Sequence, residues 1–471
     1  MLLVSPMWAQ QWDVLEPEFP VIGHPSERVL VRLRGPANAT GAYLKVAGSS
    51  DVLALEQTQP GSYAAEVRLP SQGSRALVLG LPAQNTQKPL GELKVSLRDR
   101  WLTAPKELVT RQGPHPDYDR LTPLYRGQKV VVDASRGQWY RCRESGTWVD
   151  ASGITPDAVR EGAVQPNRLR RVVVEENGGD AVLVLEVDRC PEVQVLSQQE
   201  SLSFILHDTY QTNFDVTHPT GVAKFLGPIV LTPQATPRAT VISVTVPRNC
   251  GYQISPDAAG KKLRLRVRKP HGVQLKGMKI TVDAGHGGPK DSGTVGHGGL
   301  TEKELNLRVA KALEKKLQDL GAQVVMTRVD DRDVASLGAG DSSELQARID
   351  RSMKAGAQLF LSVHHNARPK VEDGKVSHGT DIYWYQPHSE PLARALADPI
   401  AEAVGEPNRS FRQRSFHVIR QTHSPAVLLE FQYLSNPTLE SNVLSKADYP
   451  DRAAQGVING LLRYLEASQD R

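Results

Sequence analysis

Hydrophobic and polar residues alternate along most of the first 270 positions. Runs with this period of two occur at residues 29–33, 63–69, 93–97, 182–187 and 263–267. Such alternation is typical of β-strands with one buried face. Glycine and proline separate the runs, as Gly35 and Pro36 do after the first. Short strands at this spacing predict all-β modules, of the sandwich or small-barrel type, over this part of the chain.

The pattern changes near residue 277, where apolar runs alternate with segments of helical periodicity. The apolar runs lie at residues 279–282, 322–328, 359–363 and 426–429. Thr301 and Glu304 have the spacing of a capping box and predict the start of a helix that ends at Gly321. The order β-α-β-α-β predicts a mostly parallel, twisted sheet covered by helices.

These patterns predict a multidomain chain, with all-β modules first and one α/β domain last. The predicted divisions are a candidate truncated signal or leader at 1–19, a β-sandwich-like domain at 20–108, a small β-barrel at 118–160, a β-rich domain at 168–269 and the α/β domain at 274–468. The polar stretch 111–116 is predicted to be a linker.

Composition narrows the function classes only slightly. The chain has 471 residues, of which 39% are hydrophobic, so each domain can bury a core. The net charge of +5 is too small to indicate nucleic-acid binding. Residues 271–471 contain 25 basic and 25 acidic residues, so the whole positive surplus lies in the first 270. No apolar run is long enough to predict a membrane-spanning helix.

The first ten residues, MLLVSPMWAQ, are similar to the end of a secretory signal that lacks its basic start and most of its apolar segment. The alternative is an ordinary N-terminus without targeting function. The signal interpretation predicts export to the periplasm or to the cell wall and extracellular space.

Cysteine and histidine counts restrict the kind of metal site the chain can build. The three cysteines have no CxxC spacing, which argues against a cysteine-based zinc cluster. Nine of the 13 histidines lie from His271 onward. A transition-metal site would therefore use histidine and carboxylate ligands in the last 200 residues.

Three of the predicted strands end in an ionisable residue: His286, His364 and Glu430. The carboxyl ends of parallel strands meet at one edge of a sheet, where active sites of open α/β folds lie. Glu302 starts the helix beside that edge. Two imidazoles with two carboxylates have the composition of a catalytic zinc site, in which three ligands hold the ion and a carboxylate outside the ligand set acts as the base.

Four motifs in this region, DAGHGG, GGLTEKELNL, LSVHHNA and PAVLLEFQYLSN, resemble those of zinc-dependent N-acetylmuramoyl-L-alanine amidases of bacterial cell separation. The resemblance covers about residues 277–466. It implies one Zn²⁺ held by His286, Glu302 and His364, with Glu430 as the general base. The implied reaction is hydrolysis of the amide between N-acetylmuramic acid and L-alanine of the peptidoglycan stem peptide.

Two of these assignments have a competing neighbour. Glu304 competes with Glu302, whose charge could alternatively only favour the helix N-terminus. His364 and His365 point to opposite sides of a strand, so only one of them can face the edge, and His365 is then a packed or surface residue. A second tier of candidate site residues comprises Asn366, His297 and Asp283.

The N-terminal modules carry weaker resemblances. Residues 121–155 resemble a bacterial Src-homology-3-like domain, whose aromatic residues either bind wall peptide or fill the barrel core. Residues 168–269 resemble the wall-targeting β domains found ahead of cell-wall amidases, and a weak internal repeat places Cys190 and Cys250 at equivalent positions. These two cysteines either pair after export or remain buried thiols.

The resulting prediction is a secreted peptidoglycan hydrolase of cell-wall remodelling or daughter-cell separation. Peptidoglycan is the expected partner, and a divisome or envelope regulator acting through the β modules is a further candidate. Two alternatives remain open: a zinc amidase acting on soluble muropeptides, and a non-catalytic wall-binding protein. The short polar segment 368–378 predicts that no inhibitory helix is inserted there.

Overall fold

A computed structural model describes residues 12–467 except 38, 83–84, 97–99, 153, 155–158, 163–164, 199, 248–249, 271, 336–340 and 369–376. Residues 1–11 of the candidate signal or leader at 1–19, and most of the segment predicted to lack an inhibitory helix, lie outside the described residues. Within the described part of the chain, no helix combines the length and the apolar character needed to cross a membrane.

Fifteen strands lie among the described residues between 12 and 161. Their bounds are β1 Asp13–Glu16, β2 Val21–Gly23, β3 Arg28–Arg34, β4 Tyr43–Val46, β5 Val52–Ala54, β6 Glu56–Gln59, β7 Ser62–Arg68, β8 Ser74–Leu81, β9 Thr86–Val95, β10 Arg100–Thr103, β11 Thr110–Arg111, β12 Lys129–Arg136, β13 Trp139–Cys142, β14 Trp148–Asp150 and β15 Val159–Glu161. A four-stranded sheet has the order β1-β3-β7-β6, and the other strands form one eleven-stranded sheet. In β3, alternate residues are buried, as the period of two predicts.

Strand pairing crosses the predicted boundary at residue 108. β10 pairs with β12, and Leu102 of β10 is fully buried against the core that also contains Leu124 and Val130. β11 lies at the start of the predicted linker and pairs with β14. The core around Leu124 and Val130 therefore includes a strand that lies before residue 108. Trp139 and Trp148 are buried, which favours the core-filling alternative for these two aromatic residues.

Two sheets enclose a second all-β core. Their strands are β16 Asn167–Asn177, β17 Asp180–Val187, β18 Val193–Gln198, β19 Ser201–His207, β20 Thr209–Gln211, β21 Ile229–Ala235, β22 Arg238–Thr245, β23 Tyr252–Pro256 and β24 Lys262–Val267. The sheet orders are β20-β16-β17-β24-β23 and β18-β19-β22-β21. Cys190 and Cys250 both lie in this core as free thiols. The alternative of a disulfide between them is therefore wrong for this structure, and burial raises the pKa of each thiol.

The last part of the chain alternates strands and helices. Its elements are β25 Lys279–Ala284, α1 Glu302–Asp319, β26 Gln323–Met326, α2 Asp341–Ala355, β27 Leu359–Asn366, β28 Thr380–Trp384, α3 Glu390–Val404, β29 Asn408–Gln413, α4 His417–Arg420, β30 Ala426–Tyr433, α5 Pro437–Leu439 and α6 Tyr449–Glu466. A 3₁₀ turn at Pro387–Ser389 precedes α3, and a π-helical turn at Glu440–Leu444 follows α5.

The six strands have the order β26-β25-β27-β30-β28-β29. All neighbours are parallel except β28 and β30, which are antiparallel. Helices α1, α3 and α6 cover one face, where Leu361 and Val363 of β27 lie in the main core. Phe360 points to the other face and packs near α4. The sheet is covered on both faces, and its strands are apolar along most of their length for that reason.

The start of α1 differs from the predicted capping box. Thr301 occupies the N-cap position, but its side chain makes no capping hydrogen bond, and Glu304 is exposed. The backbone N–H groups of Glu302 and Lys303 instead donate to carbonyl groups of the preceding glycine-rich loop, at Thr294 and Ser292. Because the loop satisfies these donors, the helix needs no side-chain cap there.

Candidate active site

His286 follows β25 in a sharp turn at the edge of the sheet. Its backbone φ is 59°, in the left-handed region that non-glycine residues seldom occupy. The Arg348 guanidinium donates to its carbonyl oxygen at 2.9 Å and holds this turn in place. Nδ1 of the ring lies 2.7 Å from Oδ1 of Asp291, so Nε2 remains for a contact on the other side.

Glu302 lies between two imidazole rings. Its Oε1 is 3.1 Å from Nε2 of His286 and 3.1 Å from Nδ1 of His364, while Oε2 accepts a hydrogen bond from the backbone N–H of Thr294 at 3.0 Å. Burial alone would raise the pKa of this carboxyl group. The hydrogen bonds and charges of the two histidines outweigh burial and hold the pKa far below its usual range.

The nearest ligand atoms of His286, Glu302 and His364 all lie within 4.8 Å of one another, and we call these residues the ligand cluster. Glycines keep the space around it open. A Cβ at Gly285 would lie 2.2 Å from the His364 ring, and one at Gly293 would lie 2.7 Å from both His286 and Glu302. Two imidazole nitrogens and one carboxylate oxygen at this spacing can hold a metal ion that accepts nitrogen and oxygen ligands.

Glu430 lies directly beside the ligand cluster. It pairs in register with His364 across the parallel strands β27 and β30, so the two side chains leave the same face of the sheet. Its Oε2 atom is buried and has no hydrogen-bond partner among the described residues. Burial, together with the carboxylates of Glu302 and Asp381, raises the pKa of Glu430 well above its ordinary value. A raised pKa makes this carboxyl group a stronger proton acceptor than an ordinary glutamate.

The second-tier candidates are not part of the ligand cluster. Asp283 lies under the sheet edge and is 1% exposed, with hydrogen bonds from Thr327 at 2.7 Å and Ser362 at 2.6 Å and an ion pair with Arg348 at 2.8 Å. Nδ2 of Asn366 donates to Oδ2 of Asp381 at 3.3 Å. Asp381 lies on β28 and pairs with Glu430 of β30, on the side of β30 that faces away from β27. His297 is exposed in the glycine-rich loop.

Comparison with known proteins agrees with this geometry. Residues 280–463 match the protein family described as N-acetylmuramoyl-L-alanine amidase. The germination-specific N-acetylmuramoyl-L-alanine amidase of Bacillus subtilis strain 168 is 32% identical over 210 residues, which cover 43% of this chain and 86% of that protein. The chain belongs to the N-acetylmuramoyl-L-alanine amidase family.

Two further amidases match a similar share of this chain. The probable cell wall amidase LytH of Staphylococcus epidermidis is 36% identical over 194 residues, which cover 41% of this chain and 60% of that protein. The solved catalytic domain of CwlV, an N-acetylmuramoyl-L-alanine amidase of Bacillus (Paenibacillus) polymyxa var. colistinus, is 36% identical. The structural match covers 40% of this chain and 98% of the CwlV domain, with a TM-score of 0.35. The family match excludes residues 1–279, so the Src-homology-3-like and wall-targeting interpretations of that part stay predictions.

Within this family member, His365 packs inside the domain while its neighbour His364 faces the ligand cluster. His365 is 1% exposed, with Nδ1 2.8 Å from Oδ1 of Asn306 and Nε2 2.9 Å from the hydroxyl of Tyr449. Asn306 in turn donates to the carbonyl of Gly285 at 3.1 Å. Burial lowers the pKa of His365 to about 3, so the ring is neutral.

Three supporting residues of the site are absent from the predicted set. They are Asp291, which contacts the His286 ring, Asn306, which contacts Gly285 and Glu302, and Arg348, which holds the His286 turn. Asn306 carried a usable signal, because it lies four residues after Glu302 and so shares its helix face. Asp291 lies in an irregular loop and Arg348 on a separate helix, and neither spacing indicates a contact with His286.

Proposed function

We propose that this chain is an exported peptidoglycan hydrolase that cleaves the amide bond between N-acetylmuramic acid and L-alanine of the stem peptide. The observation that carries the proposal is the ligand cluster with Glu430 beside it, at the strand ends of a domain that belongs to an amidase family. The relatives are N-acetylmuramoyl-L-alanine amidases and so indicate which bond is cleaved, while the side chains of the site indicate the chemistry.

His286, Glu302 and His364 would hold one Zn²⁺, as this mixed nitrogen and oxygen donor set favours. Zinc bound there supplies a Lewis acid that polarises the scissile carbonyl and lowers the pKa of a water molecule. The remaining protein groups position these ligands. Asp291 fixes the orientation of the His286 ring, as carboxylates do for metal-binding histidines in other proteins. Thr294 fixes the second oxygen of Glu302.

Glu430 would act as the general base. Its raised pKa lets the carboxylate take the proton of the attacking water and then, as an acid, pass it to the departing nitrogen of L-alanine. The absence of a protein partner for Oε2 in the described chain leaves that atom available for the water proton. The β modules would hold the enzyme at the wall of the periplasm or cell surface, and an envelope regulator would act through them.

The test compares Glu430→Gln with the matched control Glu304→Gln, which changes an exposed carboxyl group on the neighbouring helix. Release of stem peptides with a free L-alanine amine is measured on intact sacculi and on soluble muropeptides, and zinc content is measured by elemental analysis. We expect Glu430→Gln to retain zinc and to lose about 10²–10⁴-fold in rate, because a general base contributes that much.

The control Glu304→Gln should cleave at the wild-type rate, and a chelator should remove activity that added zinc restores. Unchanged hydrolysis by Glu430→Gln would refute the assignment of the base. If the wild-type chain cleaves only soluble muropeptides, peptidoglycan is the wrong substrate. If it cleaves neither, the chain is not the proposed enzyme.

A further inference from the structure

A cleft of about 680 Å³ lies between the two all-β parts of the chain, apart from the ligand cluster. Strands β10 and β12 form one wall, and the segments after β17 and between β23 and β24 form the other. We call it the basic cleft, and the residues that matter for its chemistry are Trp101, Lys129, Asp188, Arg189, Gly260 and Lys261.

The floor of the basic cleft is held by hydrogen bonds between its two walls. The backbone N–H of Lys129 donates to the carbonyl of Cys190 at 3.0 Å, and the N–H of Cys190 donates to Gly260 at 2.8 Å. The buried side chain of Gln128 donates to the carbonyl of Pro191. These bonds fix the walls relative to each other, so the cleft is preformed and a ligand need not order it.

Two cations are held against one aromatic ring in this cleft. Nζ of Lys129 lies 4.6 Å from the centroid of the Trp101 ring, and Cζ of Arg189 lies 4.7 Å from the same centroid. Such contacts orient the cations without neutralising them. Burial and the charges of Arg189, Arg160 and Lys261 lower the pKa of Lys129, which shows that cations surround its amino group.

The acidic residue that lines the basic cleft does not cancel this charge. Asp188 accepts hydrogen bonds from Arg168 and Arg170 at 2.7 Å, one on each carboxylate oxygen. Among the described residues, no carboxylate lies within ion-pair distance of Lys129. Lys261 donates only to a backbone carbonyl, that of Asp188, in the hydrogen bonds described. Arg189 is itself ion-paired with the buried Asp208, so the uncompensated positive charge of the cleft is that of Lys129 and Lys261. In this partly enclosed space an anion is screened less than on an open surface.

We propose that the basic cleft binds the free carboxylates of peptidoglycan stem peptides and so holds the chain on the wall. The identity of the ligand rests on the proposed function, because each uncleaved stem peptide of that substrate ends in a carboxylate. The cleft volume lies in the range of sites that enclose a short peptide or a drug-sized ligand. Lys129 and Lys261 are the carboxylate-binding residues, and the Trp101 ring holds the Lys129 cation in the cleft.

The test measures binding of the full chain to sacculi stripped of covalently attached polymers, with a chelator present so that no digestion occurs. The variant Lys129→Gln/Lys261→Gln removes two charges from the cleft. The control Lys94→Gln/Lys224→Gln removes two charges from exposed positions elsewhere in the β modules. We expect the cleft variant to bind about fivefold to tenfold more weakly at low salt, and the control to bind within about twofold of wild type.

Amidation of the sacculus carboxylates should reduce wild-type binding to the level of the cleft variant. Equal losses in the two double variants would show that only overall charge matters and would overturn the proposal. So would wild-type binding to amidated sacculi, or binding that needs the phosphate-rich polymers of unstripped walls. Cleavage of a soluble muropeptide, measured in parallel, should be equal in all three proteins. Its absence from all three would refute the proposed enzyme activity without changing the binding result.

Discussion

The turn that carries His286 depends on a buried ion pair, and removing one partner should loosen the whole edge of the sheet. Arg348 is 2% exposed and donates to Asp283 at 2.8 Å, to the carbonyl of Ala284 at 2.8 Å and to the carbonyl of His286 at 2.9 Å. The substitution Arg348→Met keeps most of the side-chain volume and removes every donor. Asp283 then remains as a buried charge with only its hydrogen bonds from Thr327 and Ser362.

Breaking one side of a buried pair typically costs about 3–5 kcal/mol, mostly because the remaining charge is uncompensated. We therefore expect the free energy of opening of β25 to fall by that amount in Arg348→Met. If the uncompensated charge is the main cause, Asp283→Asn/Arg348→Met should recover about half of the loss, since the buried group is then neutral. The chain has several cores, so the measurement must be local.

Hydrogen–deuterium exchange of peptides covering Lys279–Ala284 gives this local free energy. Peptides from β3, in the N-terminal sheet, serve as the internal control and should exchange at the wild-type rate. A loss below about 1 kcal/mol in Arg348→Met would refute the reasoning, because it would show that the pair is not desolvated in solution. If the double variant is less stable than Arg348→Met, the lost backbone hydrogen bonds, and not the buried charge, account for most of the lost stability.

Two further predictions concern buried histidines. His388 packs edge-on against Tyr252 at 5.2 Å, and burial lowers its pKa to about 4 from an ordinary value near 6.5. At this one site the unfolded chain therefore binds more protons between pH 6.5 and 4, and His388 alone should lower the unfolding free energy by about 2 kcal/mol between pH 7.5 and 5. His388→Leu should remove this contribution, while the contribution of His365 remains, and the exposed control His297→Leu should retain both, as measured by hydrogen exchange of peptides covering Glu390–Val404. The change His365→Leu leaves Asn306 and Tyr449 without their hydrogen-bond partner. Because Asn306 also contacts Glu302, we expect zinc affinity, measured by chelator competition, to fall by about tenfold. Wild-type zinc affinity in this variant would contradict the prediction.

The ligand cluster and Glu430 could be predicted because each follows a strong local signal. His286, His364 and Glu430 come directly after or at the end of apolar strands, and parallel strands bring such residues to one edge. Glu302 is the first residue of a helix that follows a glycine-rich loop. These signals nominate the candidates, the resemblance to the amidase motifs implies His364 rather than His365 as a ligand, and the structure brings the three ligand candidates together. Their roles in catalysis remain predictions that the variants above test.

Other features could not be predicted because they depend on contacts between distant segments. The helix start at Thr301 has a capping-box sequence, but the Thr301 side chain makes no capping hydrogen bond, and loop carbonyls at Ser292 and Thr294 accept from the N–H groups of Lys303 and Glu302. Leu102 shares a core with Val130 because its partner strand begins at Lys129, which no local pattern near residue 108 indicates. The same holds for the basic cleft, whose walls come from segments up to 160 residues apart. The periodicity of apolar residues indicates which side of a strand is buried, but it does not indicate which other strand or helix packs against that side.

The register between β27 and β30 places the proposed base, Glu430, beside the proposed zinc ligand His364. His364 pairs with Glu430, whereas two residues later Asn366 pairs with Tyr433, so β30 contains one extra residue immediately after Glu430. A one-residue slip of the pairing before that point would turn Glu430 to the opposite face of the sheet, away from His364. The irregularity confines the change of register to positions beyond Glu430, where Asn366 and Tyr433 both contact Asp381. The apolar pairs that precede His364 therefore fix the base beside the ligand, and substitutions in that strand core should affect activity through register even where they touch no site residue.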